Sequence, residues 1–353
     1  MEKAYSLEEA LTKPESIERL VLKYGKHVHA PLDSRIIKLS NLKELYFEDY
    51  NLSLLNLPRE IRNIQTLESI SLQFSQELIQ LPEQIFEIPS LKRISTAGLR
   101  KINSISDKII DLKSLTNLTL GFELNHIPKG LLSMNSILGL DLCLGDINDK
   151  SAIIENYGDG LKHLGSLNLI VKKILDIPQQ LFYSTEYNNI SILCNDGSNL
   201  MNFRYSELEK LSRLKLSNFK NIDSRINKLT NLKTLDLYGF KNNQLNVDFS
   251  NFKNLEFLEI SNSSIHNLDE SIIGAFNLKR IILTNSKIKR FPIELSKLDK
   301  LKGIDLQNCE NLDFDTLYNV VKESSSMNWL KLKGTNLSDY QKSKINKELK
   351  KNE

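Results

Sequence analysis

The residues of this chain that could support chemistry are few and scattered. His27 and His29 stand two positions apart, so a strand would place both imidazoles on one face, where they could share a metal ion. Asp33 is close in sequence, but a third ligand is not evident. We find no glycine-rich phosphate loop, no His-Glu-x-x-His pair and no nucleophile elbow. The sequence therefore predicts no metal site, no cofactor and no catalytic residue, and the protein is not expected to be an enzyme.

An internal repeat of the sequence determines the secondary-structure elements to which these residues belong. Apolar residues recur at fixed offsets with a period of roughly 23 residues, from near Ile17 to near Asn336. Three successive copies show the pattern: Leu232, Leu235 and Leu237; Leu255, Leu258 and Ile260; Leu278, Ile281 and Leu283. A period of this length is typical of a solenoid, in which each copy is one unit of a stack.

Each copy is predicted to contain one strand and one helical return. Positions 4 to 6, counted from the first apolar residue of a copy, alternate apolar, polar, apolar, which is the pattern of a strand. Apolar residues then recur every three positions, as in a short helix or 3₁₀ segment. Many returns follow an apolar–Pro pair: Leu57-Pro58, Leu81-Pro82, Ile127-Pro128, Ile177-Pro178 and Phe291-Pro292. Proline suits the first turn of a helix, where its missing N–H has no role.

This pattern resembles the leucine-rich repeat superfamily over nearly the whole chain. The apolar–Pro pair and the repeat length are similar to the intracellular, Ras-group type, which also occurs in plant disease-resistance proteins and many bacterial proteins. The resemblance implies an α/β solenoid, a curved horseshoe with a parallel sheet on the concave face and short helices or 3₁₀ segments on the convex face.

The family motif has Asn at position 9, where its side chain binds backbone groups of the turn. In this sequence only Asn195 clearly keeps that residue. Small polar residues of the kind that the family also accepts are Ser75, Ser263, Ser286, Cys309 and Thr335. The copies that depart from the motif have Tyr50, Leu99, Glu123, Gly145, Lys172, Phe219 and Phe240 there.

The domain organisation follows from the repeat and its two ends. Residues 17–337 are predicted to form about 13 to 14 copies. Residues 1–16 are predicted to form a helical cap, because Ser6 and Glu9 have the spacing of a capping box and Pro14 ends the segment. Residues 338–353 are predicted to form a second capping helix, opened by Ser338 and Gln341 in the same way.

The outward strand residues are the candidate binding surface, because the core does not need them. They occupy positions 3, 5, 7 and 8 of each copy. The first copies offer an acidic group with one tyrosine: Glu44, Tyr46, Glu48 and Asp49. The middle copies offer an apolar group: Phe74, Phe122, Cys143, Leu144, Ile170, Val171, Leu193 and Cys194.

The apolar group predicts an exposed patch of a few hundred Å², and patches of that size often mark partner-binding sites. The later copies are mixed with a basic bias, and their aromatic residues Tyr238, Phe257 and Trp329 suit interface anchors. Two alternatives stay open for the apolar group. A longer loop could cover it, or crowded strands could simply tolerate aliphatic side chains.

Composition limits the classes of partner that we expect the protein to bind and the cellular compartment in which we expect to find it. The formal net charge of +3 gives no reason to expect nucleic acid or a membrane surface, and no apolar run is long enough for a membrane span. The polar start lacks a secretion signal, and Cys143, Cys194 and Cys309 do not form Cys-rich end caps. We therefore expect a cytoplasmic monomer, while secretion after removal of a signal, or as an effector, stays open.

The resemblance implies a non-catalytic scaffold that binds a protein partner through the concave face. Two alternatives remain at this point. The chain could be the recognition module of a larger effector or enzyme, such as a bacterial ubiquitin ligase whose catalytic domain lies outside the sequence. It could also be a cell-surface adhesin.

Overall fold

The computed structural model describes residues 2–23, 32–48, 57–74, 78–146, 160–173, 177, 179–195, 197, 207–222 and 224–352. The chain divides into two units, Met1–Ser184 and Thr185–Glu353. In the described residues, each unit contains successive strands with a return between them, as the repeat predicts.

In its described residues, the first unit contains eight strands, which pair in parallel and in sequence order. Their bounds are β1 Glu2–Ala4, β2 Ile17–Lys23, β3 Glu44–Glu48, β4 Ser69–Gln73, β5 Arg93–Ala97, β6 Asn117–Leu124, β7 Gly139–Leu144 and β8 Ser166–Val171. The register follows the repeat, so that Leu45 lies opposite Ile70 and Ile70 opposite Ile94. Strand β1 was not predicted from the sequence, and it extends the sheet beyond the first copy.

The second unit has seven strands among its described residues, again parallel and in sequence order. Their bounds are β9 Asn189–Cys194, β10 Arg213–Ser217, β11 Thr234–Tyr238, β12 Phe257–Glu259, β13 Arg280–Ile282, β14 Gly303–Asp305 and β15 Trp329–Lys331. The inward residues of each strand, such as Leu235, Leu258 and Ile281, are buried in the core of this unit. Burial of one such side chain stabilises the fold by roughly 1.5–3 kcal/mol.

The returns are mostly single 3₁₀ helices. In the described residues these are Ser34–Lys38, Arg59–Asn63, Glu83–Glu87, Asp107–Asp111, Gln179–Phe182, Ser224–Lys228, Phe249–Asn251, Glu270–Gly274, Ile293–Lys297 and the terminal Lys350–Asn352. The α-helices are α1 Leu7–Ala10, α2 Lys129–Leu132, α3 Phe314–Glu323 and α4 Asp339–Leu349. No helix in the described ranges combines the length and the apolar character that crossing a membrane requires.

Two kinds of residue start the returns. Pro58, Pro82 and Pro292 stand at the N-cap, one residue before the helical turn and not inside it as the sequence suggested, and none of them makes a side-chain cap. Elsewhere an acidic residue or a serine accepts a hydrogen bond from the backbone N–H two residues on, as Asp248, Asp269 and Ser106 do. Proline needs no such bond because its fixed φ already suits the turn.

Both terminal segments contain the predicted capped helices. The Ser6 hydroxyl accepts a hydrogen bond from the Glu9 N–H, although the Glu9 carboxylate accepts from the N–H of Tyr5 rather than from that of Ser6. Helix α1 ends at Ala10, well before Pro14. At the other end the capping box between Ser338 and Gln341 is complete.

The strand ends distinguish two kinds of copy. Position 8 has a positive φ and turns the chain in most copies of the second unit: Asn218, Gly239, Asn262, Asn285, Asn308 and Gly334. In the first unit Phe74 and Gly98 do the same. Because this turn reverses the alternation, the residue at position 9 then points into the core.

Buried position-9 residues join one copy to the copy before it. The Ser286 hydroxyl donates to the Ile260 carbonyl at 2.7 Å, and the Cys309 thiol approaches the Leu283 carbonyl at 2.9 Å. Ser263 donates to the Ser286 hydroxyl at 3.0 Å. This is the turn-binding role that the resemblance implies for small polar residues, whereas Ser75 and Tyr50 lie outside the described residues.

Asn195, which matches the family motif best, does not have that role. It is exposed, because its copy continues as a strand through position 8 and places Cys194 in the core instead. The prediction that Asn195 binds backbone groups of its turn was therefore wrong, because the buried residue of this copy lies one position earlier.

Candidate functional site

The outward face of the sheet, meaning the side chains at positions 3, 5 and 7, is the candidate site in both units. In the first unit the predicted acidic group is charge-balanced. Glu44 forms an ion pair with Arg19, and its other oxygen is 3.9 Å from the guanidinium of Arg93. Glu48 pairs with Lys23 at 2.9 Å. Asp49 lies outside the described residues.

Half of the predicted apolar group is not on this face. Phe122, Leu144, Val171 and Cys194 are at most 5% exposed. They belong to four successive copies in which the strand runs on through position 8 instead of turning. An extended strand alternates its side chains, so position 8 follows position 6 into the core. Their prediction as solvent-facing residues was wrong.

The sequence contained a signal for this difference. Copies that turn at position 8 mostly have Asn or Gly there, the residues that adopt positive φ at least cost. The four copies that continue as strands have a bulky apolar residue or cysteine at that position. Phe74 is an exception, since its φ is 60° and its side chain is 56% exposed.

The predicted apolar residues that remain accessible in the first unit are Phe74, at a position-8 turn, and Cys143 and Ile170 on the outward face. Ile170 is 47% exposed and lies directly opposite Cys143 on the neighbouring strand. Burial, together with the nearby Glu123 carboxylate, raises the pKa of the Cys143 thiol, so it is protonated at neutral pH. This side chain can contact a partner but is not an activated nucleophile.

A shallow groove of about 420 Å³ adjoins Cys143. It forms at a bulge in β6, where the register changes between Leu120 and Glu123. Gly98 and Gly121 line the groove, and a Cβ at Gly121 would lie 2.5 Å from the Thr96 carbonyl oxygen, so glycine permits the close approach of the two strands there. Next to the bulge, Glu123 pairs with Lys172 at 2.9 Å.

Polar outward residues in this region are bound to one another. The Asp141 carboxylate accepts hydrogen bonds from the Thr119 hydroxyl at 3.0 Å and from the Asn168 amide at 2.5 Å. Such cross-strand pairs keep the polar groups satisfied without a ligand.

In the second unit the aromatic residues are placed as predicted. Tyr238 is 41% exposed and Phe257 is 44% exposed, on the neighbouring strands β11 and β12. Trp329 on β15 is half-buried. Leu193, also half-buried, lies in the same row as Tyr238, with Ser217 between them.

Charged residues around these aromatics are largely paired. Asp236 binds Lys215 at 3.0 Å, and the buried Asp305 binds Lys331 at 2.9 Å. The Arg280 guanidinium lies 4.0 Å from the Asp305 carboxylate. In the described part of the chain, two buried side-chain atoms still lack a hydrogen-bond partner: Asp236 Oδ1 and Arg280 Nε.

The described ranges contain no cluster of three or more His, Cys, Asp or Glu side chains that could hold a metal ion. His27 and His29 lie outside them. Cys194 and Cys309 are buried thiols, and burial raises the pKa of Cys309 to about 11.

Comparison with solved structures decides the fold. A leucine-rich repeat protein of Leptospira interrogans is 20% identical and has a TM-score of 0.65, and the alignment covers 100% of this chain and 99% of that one. The chain has the leucine-rich repeat fold. An internalin of Listeria monocytogenes is 16% identical, with a TM-score of 0.58 and coverage of 95% and 86%.

The leucine-rich repeat fold is also shared with two longer proteins. The plant peptide hormone receptor RGFR1 is 18% identical with a TM-score of 0.52, and the alignment covers 91% of this chain and 52% of that one. Drosophila Toll is 15% identical with a TM-score of 0.55 and coverage of 94% and 54%. No family model and no curated protein sequence matches the chain.

Proposed function

We propose that this leucine-rich repeat protein is a non-catalytic scaffold that binds a protein partner through the outward face of its sheet. The observation that carries the proposal is the exposure of Tyr238 and Phe257, more than 40% each, on neighbouring strands. Large aromatic side chains are favoured anchors at protein interfaces because they bury much area at little entropic cost. Several charged residues around them are paired, such as Asp236 with Lys215, so the aromatics are the groups with most to gain from contact.

Two of the similar structures support a protein or peptide as the partner. RGFR1 was solved in complex with RGF2, and Toll was solved in complex with Spätzle. Neither ligand is assigned to this chain. We take from these structures only the class of partner. From the sequence, we also propose a cytoplasmic location and a monomeric state.

The proposal also includes the terminal caps, residues 1–16 and 338–353. Helices α1 and α4 support it, since each buries two apolar side chains and each has a serine N-cap. A solenoid needs such caps because its end copies would otherwise expose core residues and a sheet edge.

A matched pair of phenylalanines tests the binding face. Phe257 is 44% exposed on the outward face, and Phe276 is 52% exposed two residues after the return helix Glu270–Gly274. Phe257→Asp and Phe276→Asp make the same chemical change on a strand and on a return. Affinity capture from native lysate with both variants and the wild type measures which partners are lost.

We expect Phe257→Asp to lose a partner that the wild type and Phe276→Asp both retain, with unchanged circular dichroism and melting temperature. Equal capture by all three proteins, or loss only with Phe276→Asp, would contradict binding through the outward face.

A further inference from the structure

A second groove lies at the last strand of the second unit, apart from the aromatic residues on β11 and β12. It has a volume of about 710 Å³ and runs between β15 and helix α4. Trp329 and Leu330 line one wall, and Lys342, Lys347 and Lys350 line the other.

The backbone of β15 offers hydrogen-bonding groups to this groove. In a parallel ladder, alternate residues direct both their N–H and their C=O to the same neighbouring strand. Trp329 donates to the Lys302 carbonyl at 3.3 Å, and the Lys331 carbonyl accepts from Leu306 at 2.9 Å, so both residues face the β14 side. Leu330 between them therefore directs its N–H and C=O away from β14, toward the groove that its own residue lines.

The opposite wall is positively charged. Lys342, Lys347 and Lys350 have no ion-pair partner in the described ranges, whereas the neighbouring Lys351 is paired with Glu348. Asp339 is the acidic residue of the lining, so the three lysines give the groove a net charge of about +2. A negatively charged chain that enters the groove would meet both the lysines and the strand edge.

We propose that this groove binds an extended acidic segment of a partner protein, which pairs with β15 as an added strand. Main-chain hydrogen bonds to Leu330 would set the direction of the segment, and the lysines would select acidic side chains. The groove shares Trp329 with the outward face but lies apart from Tyr238 and Phe257, so variants of its lysines test it independently of the proposed function.

The chain contains one tryptophan, Trp329, and its place in the groove wall provides the measurement. The probe is the acetylated and amidated peptide Glu-Val-Glu-Val-Glu-Val-Glu, titrated into the full chain at low salt while the tryptophan emission is recorded. We expect a saturable shift in emission, which weakens as the ionic strength increases. The same peptide with lysine in place of glutamate should cause no shift.

Two double variants test the lysines. Lys342→Glu with Lys347→Glu should weaken binding at least about tenfold. Lys228→Glu with Lys253→Glu makes the same change in net charge at exposed sites on the returns of the same unit, and it should leave the affinity unchanged. Equal weakening by both variants would mean that binding depends only on the overall charge of the protein, and it would overturn the site.

A third probe tests strand addition itself. Replacing the valines of the acidic peptide by prolines keeps its charge but removes the N–H groups that a ladder needs. Equal affinity for both acidic peptides, or no emission change with either, would overturn the proposal. If the chain self-associates as its concentration rises, and the Lys342/Lys347 variant abolishes this association, the groove binds a second copy of the chain. That result would also overturn the proposal.

Discussion

The guanidinium of Arg280 lies 5.4 Å from the centroid of the Trp329 ring, although the two residues are on β13 and β15, with β14 between them. The residue that separates them in the register is Gly303. A Cβ at that position would overlap both the ring and the backbone carbonyl of Trp329. The missing side chain of Gly303 therefore allows the cation–π contact across an intervening strand.

We predict that Gly303→Ala displaces the Trp329 ring and destabilises the second unit by about 1–3 kcal/mol, the usual cost of overpacking. Chemical denaturation gives the free energy of unfolding, and the tryptophan emission of the native state reports the ring. Thr234→Ala, at the corresponding position of β11, serves as the control. Unchanged stability and emission in Gly303→Ala would show that the ring has room to move.

A second prediction concerns the position-9 residues. Ser286→Ala removes a buried hydroxyl that binds the Ile260 carbonyl and accepts from Ser263, so we expect a loss of about 1–3 kcal/mol. Asn195→Ala, at the exposed site that matches the family motif, should change the stability by less than about 0.5 kcal/mol. Denaturant midpoints of the two variants make the comparison, and the reverse order would contradict it.

A third prediction uses adjacent residues with opposite environments. Val171 is fully buried and Ile170 is 47% exposed. Val171→Asp buries an unpaired carboxylate and should cost at least about 3 kcal/mol, whereas Ile170→Asp should cost about 1 kcal/mol or less. Thermal melts separate the two variants. Of these two variants, only Ile170→Asp is then a valid test of binding in the first unit, and similar melting temperatures would refute the placement of β8.

A fourth prediction concerns Phe74, a bulky residue with φ of 60°. Left-handed backbone costs an ordinary residue roughly 1–2 kcal/mol, and Asn tolerates it better. Phe74→Asn should therefore raise the stability by about 1 kcal/mol. Ile170→Asn replaces another exposed apolar residue, but one in extended backbone, and should give no gain. A loss of stability in Phe74→Asn would mean that the ring contributes more than the strain costs.

The fifth prediction is a pH dependence from ion pairs between neighbouring copies at position 2. Three such pairs have distances of 2.6, 2.7 and 2.6 Å: Glu18 with Lys43, Glu68 with Lys92, and Glu256 with Lys279. The hydrogen bond from the lysine is the largest cause that lowers the pKa of each glutamate below its ordinary value of 4.5.

Because the folded state holds these carboxylates ionised, the unfolded state binds more protons as the pH falls. The stabilisation is complete above pH 4.5 and is lost as the pH decreases through the lower folded pKa values. Unfolding titrations between neutral pH and pH 3 should show a smaller decline for Lys92→Gln with Lys279→Gln than for the wild type. An identical decline in the two proteins would show that these ion pairs do not cause the loss of stability at low pH.

Much of the architecture could be predicted from residues such as Leu235, Leu258 and Ile281, since their recurrence reflects burial that every copy repeats. The capping serines Ser6 and Ser338 were also recognisable, because a cap acts within one helical turn. The outward face was harder to predict. Tyr238 and Phe257 were placed correctly, whereas Leu144 and Val171 were assigned to the wrong side of the sheet.

The difference has a physical cause. Apolar periodicity and helix caps depend on residues within a few positions of one another, so they can be read along the chain. Where a strand ends depends on whether the neighbouring copy continues to pair with it. Pairing continues at β6 to β8, whereas most other copies turn at an Asn or Gly. Charge pairing depends on the register between strands more than twenty residues apart, as for Glu44 with Arg19 and Asp305 with Lys331. Those relationships exist only once the copies are stacked, because stacking alone brings distant side chains within reach.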